Sequence, residues 1–128
     1  MNKTSWAKLI GTHRLKCEQI LALSKNVRYA GVFNEYGRTV AGKIRPGIKP
    51  IFSPNGVRDE FFSIASTMRL RQKSSKELGE LQYILINHKK INILLFSKNN
   101  LTYYITISSN DIPSRTFIDK IKNLIVNV

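Results

Sequence analysis

Apolar positions along this chain switch between two periods, and the switches divide it into elements. From Val57 to Ser74 the chain reads VRDEFFSIASTMRLRQKS, with Val57, Phe61, Ile64, Ala65 and Met68 recurring every three or four residues. That spacing predicts a helix with one buried face. Phe62, Ser66 and Leu70 fall at i, i+4 and i+8 on the other side, with Ser63 beside them. Asp59 and Glu60 are placed in the first turn, and Arg69, Arg71 and Lys73 toward the end, as the helix macrodipole favours. A helix with two unlike apolar stripes calls for two packing partners.

The remaining blocks follow the same logic. Thr4 to Lys25 predicts a first helix with Trp6, Leu9, Ile10, His13, Cys17, Ile20 and Leu21 on one stripe, weakened inside by Gly11. RYAGVFN and RTVAGKI are short apolar runs joined by Asn34-Glu35-Tyr36-Gly37, which predicts a hairpin. Gly31 and Gly42 within it mark places where something approaches the strands closely, such as a helix. Arg45 to Gly56, RPGIKPIFSPNG, carries three of the four prolines and reads as an ordered surface loop anchored by Ile48, Ile51 and Phe52. Gly79 is a good helix stop. After it, ELQYILINH, INILLFS and LTYYITIS are separated by such short connections that they must pair as an antiparallel meander. Tyr83 and Leu85 oppose Ile84 and Ile86, so both sheet faces are apolar and both require helices. Asp111 and Pro113 introduce a last helix with Phe117, Ile118, Ile121, Leu124, Ile125 and Val128 on one stripe. The expected fold is therefore α+β, in the order α-β-β-α-β-β-β-α, as one domain over residues 1–128 with a five-stranded antiparallel sheet between helices.

Charge changes the picture of partners, not of the fold. Twenty-one Lys and Arg against 8 Asp and Glu leave a net charge of +13, spread along the chain without a long basic run. The densest group is Arg69, Arg71, Lys73 and Lys76 with Arg58 earlier in the same helix, and Lys43, Arg45 and Lys49 in the neighbouring loop extend it. Such a surface fits an anionic partner, nucleic acid included, or is a solvated face. One cysteine allows no internal disulfide and suits a reducing cytoplasm. No apolar run reaches membrane-spanning length, and the charged N-terminal stretch is unlike a signal peptide. The sequons at Asn2 and Asn100 carry no meaning without secretion.

GVFNEYG followed by TVAG, a helix ending in ELG, and then LQYILINH resemble the roadblock (dynein light-chain type) domain, a relative of the longin and profilin-like folds. The likeness covers nearly the whole chain as topology more than as motif. Asn34 stands where the family commonly has Asp, and RPGIKPIFSPNG is longer and richer in proline than usual. The RLRQK helix end is also similar to that of small archaeal proteins. The resemblance implies a homodimer with central helices side by side and sheets joined edge to edge, and a non-enzymatic scaffold or regulator of a small GTPase. Phe62, Ser66 and Leu70 would form the interface between protomers. A nucleic-acid or anion-binding protein, and a ligand sensor of PAS or profilin type with a cavity beneath its sheet, are the alternatives.

Catalytic and cofactor chemistry finds little to stand on. There is no G-x-x-x-x-G-K-[ST] and no G-x-G-x-x-G. His13 and Cys17 lie one turn apart, close enough to share a metal, but a third ligand is missing and both sit within an apolar stripe. Asp59 and Glu60 point apart on their helix and are read as dipole partners. The expectation is no enzyme activity, no metal and no cofactor.

Overall fold

The apolar faces named above meet as two layers on one sheet. The computed structural model describes residues 3–108 and 112–126. Its elements are α1 (Lys3–Leu21), β1 (Val27–Phe33), β2 (Thr39–Ile44), α2 (Pro54–Gln72), α3 (Ser75–Leu78), β3 (Ile84–Asn87), β4 (Asn92–Lys98), β5 (Leu101–Ile107) and α4 (Arg115–Val126). The expected order stands, with one short helix, α3, added after the central one. The five strands run β2-β1-β5-β4-β3, and every neighbouring pair is antiparallel. Asp111 and Val128, placed at the ends of the last helix by the sequence, and Asn2 of the first sequon lie outside the described residues.

Alternation along the meander divides the core in two. Tyr83, Leu85, Leu94, Phe96, Tyr103 and Ile105 point toward α1 and α4, where they meet Cys17, Ile20, Ile118, Ile121 and Ile125. Ile84, Ile86, Ile93, Leu95 and Tyr104 point the other way and meet Phe61, Ile64, Ala65 and Met68 of α2. Each large side chain fully buried in this way contributes about 1.5–3 kcal/mol. The β4–β5 connection is tight because Asn99 and Asn100 both adopt positive φ, 52° and 65°. Two such residues make the turn whose twist matches paired strands.

Several boundaries depart from the pattern-based expectation, each for a local reason. α1 ends at Leu21 and not at Lys25, because the Arg45 guanidinium reaches across from the loop and donates to the carbonyls of Leu21, Ser24 and Val27. Its stripe is buried only from His13 onward; Trp6 remains 48% exposed. α2 begins at Pro54, three residues before the apolar pattern: Ser53 Oγ accepts the Gly56 N–H at 3.1 Å as N-cap, and Pro54 takes the first position. Asp59 and Glu60 consequently lie beyond the first turn, and dipole complementation does not account for them. α4 begins at Arg115, with Ser114 as cap, accepting the Phe117 N–H at 3.1 Å, so Pro113 precedes the helix. Gly31 and Gly42 do admit a close neighbour, but it is the ring of Tyr29 and not a helix. A Cβ on Gly31 would sit 2.1 Å from the Tyr29 hydroxyl.

Candidate functional site

The outer surface of α2 is where this fold leaves apolar area uncovered. Phe61 and Phe62 are adjacent, so the helix points them in divergent directions. Phe61 is 3% exposed and stacks on Phe33 with ring centroids 4.6 Å apart, whereas Phe62 is 61% exposed. Leu70, two turns on, is 62% exposed, and Ser66 between them is half-buried. The polar atoms of this stripe are turned inward on the helix itself. Ser66 Oγ donates to the Phe62 carbonyl at 2.9 Å, and Thr67 Oγ1 to the Ser63 carbonyl at 3.1 Å. What the stripe offers outward is therefore carbon more than hydroxyl.

The β1–β2 turn leans on the same helix. Asn34 Oδ1 accepts the N–H groups of Tyr36 (2.9 Å) and Arg38 (3.0 Å), closing the turn. An amide does here what an Asp carboxylate does in an Asx turn. Gly37 follows at φ +82°, and a Cβ there would lie 2.8 Å from the Phe62 backbone. Only glycine lets the turn rest on α2 at that point. Arg69 completes the junction, donating to the Glu35 carbonyl and, at 3.2 Å, to Ser66 Oγ.

These contacts redistribute the basic residues expected to act together. Arg69 is held in the hairpin junction and Arg45 caps α1. Arg71, Lys73 and Lys76 are exposed together at one end of α2 and in α3, while Arg58 is exposed at the other end. Thirteen positions separate Arg58 from Arg71, about 20 Å of helix. Arg71, Lys73 and Lys76 thus lie close along the chain at one end of the helix, and Arg58 stands apart from them.

The titratable groups singled out by the sequence are packed. His13 Nδ1 lies 2.6 Å from the Tyr103 hydroxyl, and burial, with the Lys98 charge second, holds its pKa below the ordinary 6.5. Burial, with Glu18 adding, pushes the Cys17 thiol up to about 12, where it is no nucleophile near neutral pH. Glu60 has a role that the sequence did not reveal. Its carboxylate accepts the Tyr104 hydroxyl at 2.7 Å, tying α2 to β5, and burial together with that bond raises the phenol's pKa. No group of three or more His, Cys, Asp and Glu able to hold a metal occurs among the described residues. No described helix is long and apolar enough to cross a membrane.

A second feature invisible to periodicity is a cleft of about 400 Å³ where α2 stops short of the sheet's end. Tyr29, Ile44, Thr106 and Tyr104 form its floor, Val57 and Phe61 one wall, and Ile48, Ile51 and Phe52 of the proline-rich loop the other. The only trace in the sequence is the three apolar anchors of an otherwise irregular loop.

No protein-family model and no curated protein sequence matches the chain. Solved structures do. The gliding protein MglB from Thermus thermophilus superposes with a TM-score of 0.71 at 12% identity, over 92% of this chain and 88% of that one. A Roadblock/LC7 domain from Streptomyces avermitilis gives 0.68 at 5% identity, over 89% and 92%. An MglB structure with a tetrameric arrangement gives 0.68 at 14% identity, over 96% and 85%. At such identities the likeness speaks to architecture, and with the strand order and two-sided helical cover it establishes that this chain has the roadblock-like fold of the longin class.

Proposed function

We propose that the protein is a cytoplasmic, non-enzymatic regulatory scaffold. It pairs with a second copy of itself through the outer face of α2 and binds a small GTPase or other signalling protein. The observation that carries this is the stripe in which Phe62 and Leu70 are exposed along one helix and the half-buried Ser66 between them turns its hydroxyl back onto the helix backbone. An aligned apolar stripe is uncommon on a monomer's surface, and small residues between large ones allow two helices to approach closely. The roadblock-like fold supports the same reading, since roadblock domains commonly act as scaffolds or regulators for small GTPases. One of the similar MglB structures has a tetrameric arrangement, which favours self-association as a habit of the fold.

Light scattering tests the first half: the parent protein should have the mass of a dimer and Phe62→Glu that of a monomer. A monomeric parent, or a variant of unchanged mass, overturns it. Affinity capture from the source cell tests the second half, with a small GTP-binding protein expected among the specific partners. The competing reading is an anion-binding protein, favoured by the exposed group Arg71, Lys73 and Lys76. Nucleic acid bound with a steep salt dependence that Arg71→Ala weakens on every sequence would support that alternative and count against the scaffold.

A further inference from the structure

The cleft under the proline-rich loop has the chemistry of a site and not merely of a packing gap. Its walls are apolar and aromatic, and its mouth is partly open: Ile44, Ile51 and Phe52 remain 36%, 48% and 37% exposed. The loop forming one wall is pinned at its start and at its middle. Arg45 is bonded to the end of α1, and Arg28 donates to the Lys49 carbonyl at 3.3 Å. The cleft's volume lies within the range usual for small-molecule pockets.

Two residues of its lining each bury a polar atom that has no partner among the described residues. Thr106 is 3% exposed, its hydroxyl is buried, and that hydroxyl has no hydrogen-bond partner among the described residues. The same holds for Nε of Arg28, although another nitrogen of that guanidinium is engaged. Both residues line the cleft. A buried donor without an acceptor is costly, and native structures rarely retain one without a reason. Thr106 lies directly opposite Tyr29 across β5 and β1, on the floor of the cleft. The lining includes two cations, Arg28 and Lys49, and no acid. Glu60 of α2 accepts the Tyr104 hydroxyl and is not part of the lining.

From this geometry we infer that the cleft binds a small monocarboxylic acid with an apolar body. Both donors are covered in the unliganded cleft, so binding turns the Arg28 guanidinium and the Thr106 hydroxyl toward the carboxylate, and the body lies among Tyr29, Ile48, Phe52 and Phe61. Guanidinium is suited to a carboxylate, and the apolar walls exclude the water that would compete for it. The inference is independent of the outer face of α2, because none of Phe62, Ser66 and Leu70 lines the cleft.

The test is titration of the intact protein with decanoate and with 1-decanol, which shares the chain but lacks the charge, followed by calorimetry and by backbone amide shifts. Decanoate should bind saturably, shift amides of β1, β5 and residues 45–53, and bind at least about tenfold more tightly than decanol. Arg28→Gln and Thr106→Val should each weaken decanoate by about fivefold or more while leaving decanol unaffected. Ile48→Trp, which fills the cleft from the more exposed wall, should abolish binding of both. Should either polar variant fail to fold, the decanoate–decanol ratio and Ile48→Trp still decide. Absence of saturable binding, equal affinity for acid and alcohol, or shifts outside the cleft would overturn the inference.

Discussion

The two faces of the sheet draw on the same kinds of residue and finish differently. Under α1 and α4, two helices converge and the interior closes: Leu94, Tyr103, Ile105 and Ile121 have essentially no exposed surface. Under α2 a single helix does the covering. It seals the middle of the face with Phe61, Ile64, Ala65 and Met68, leaves a cleft beyond its N-terminal end, and carries a second apolar stripe away from the sheet. One helix is too narrow to span a face of five twisted strands. The uncovered part became loop, cavity and exposed helix surface, and all of the candidate function lies on that side.

Substitution of adjacent residues gives the sharpest way to break this contrast. Phe61→Ala should cost about 3–5 kcal/mol in urea unfolding, because it empties a stacked aromatic site in the core. A loss below about 1 kcal/mol would mean that the α2 face is far looser than its packing indicates. Gly37→Ala should cost about 1–3 kcal/mol, since both the positive φ and the Phe62 backbone oppose a methyl group. Amide exchange should then quicken in β2 and the turn before it does so in β4.

On the closed face the probe is pH. His13 is harder to protonate folded than unfolded, so its contribution is complete above pH 6.5 and is lost as pH falls through that value toward the lowered folded pKa. The slope should reach at most about 1.4 kcal/mol per pH unit. His13→Leu should remove that slope; an unchanged pH profile would show that the histidine is free to charge in place. Smallest of all is Phe62→Ala, within about 0.5 kcal/mol at dilutions where the chain is monomeric. At higher concentration the parent, but not the variant, should gain stability as protein is added. A parent whose melting temperature ignores concentration would remove the stripe's proposed role.

Much of the architecture was legible because period and face are properties of the chain itself. Alternation separated Tyr83 and Leu85 from Ile84 and Ile86, and Ile93 and Leu95 from Leu94 and Phe96, as the two halves of the core do. The helical spacing of Phe61, Ile64, Ala65 and Met68 identified the buried side of α2. Boundaries were less legible, since they depend on side chains remote in sequence: Arg45 at the end of α1 stands for all of them. Ser53-Pro54 could have marked the start of α2, as a cap followed by proline is a local signal. The engagement of Arg69 with the hairpin turn was not legible for the same reason, since the two are 34 residues apart.

From its sequence alone the chain determined α+β patterning, element order, two-sided burial of the sheet and an apolar stripe on α2, because each follows from side-chain period and short connections. Tertiary structure alone decided that Tyr29 lies over Gly31 and Gly42, that Glu60 pairs with Tyr104, and that Thr106 and Arg28 line one cleft. Those outcomes arise where strands distant in sequence are set side by side under a loop, and no periodicity records what meets there.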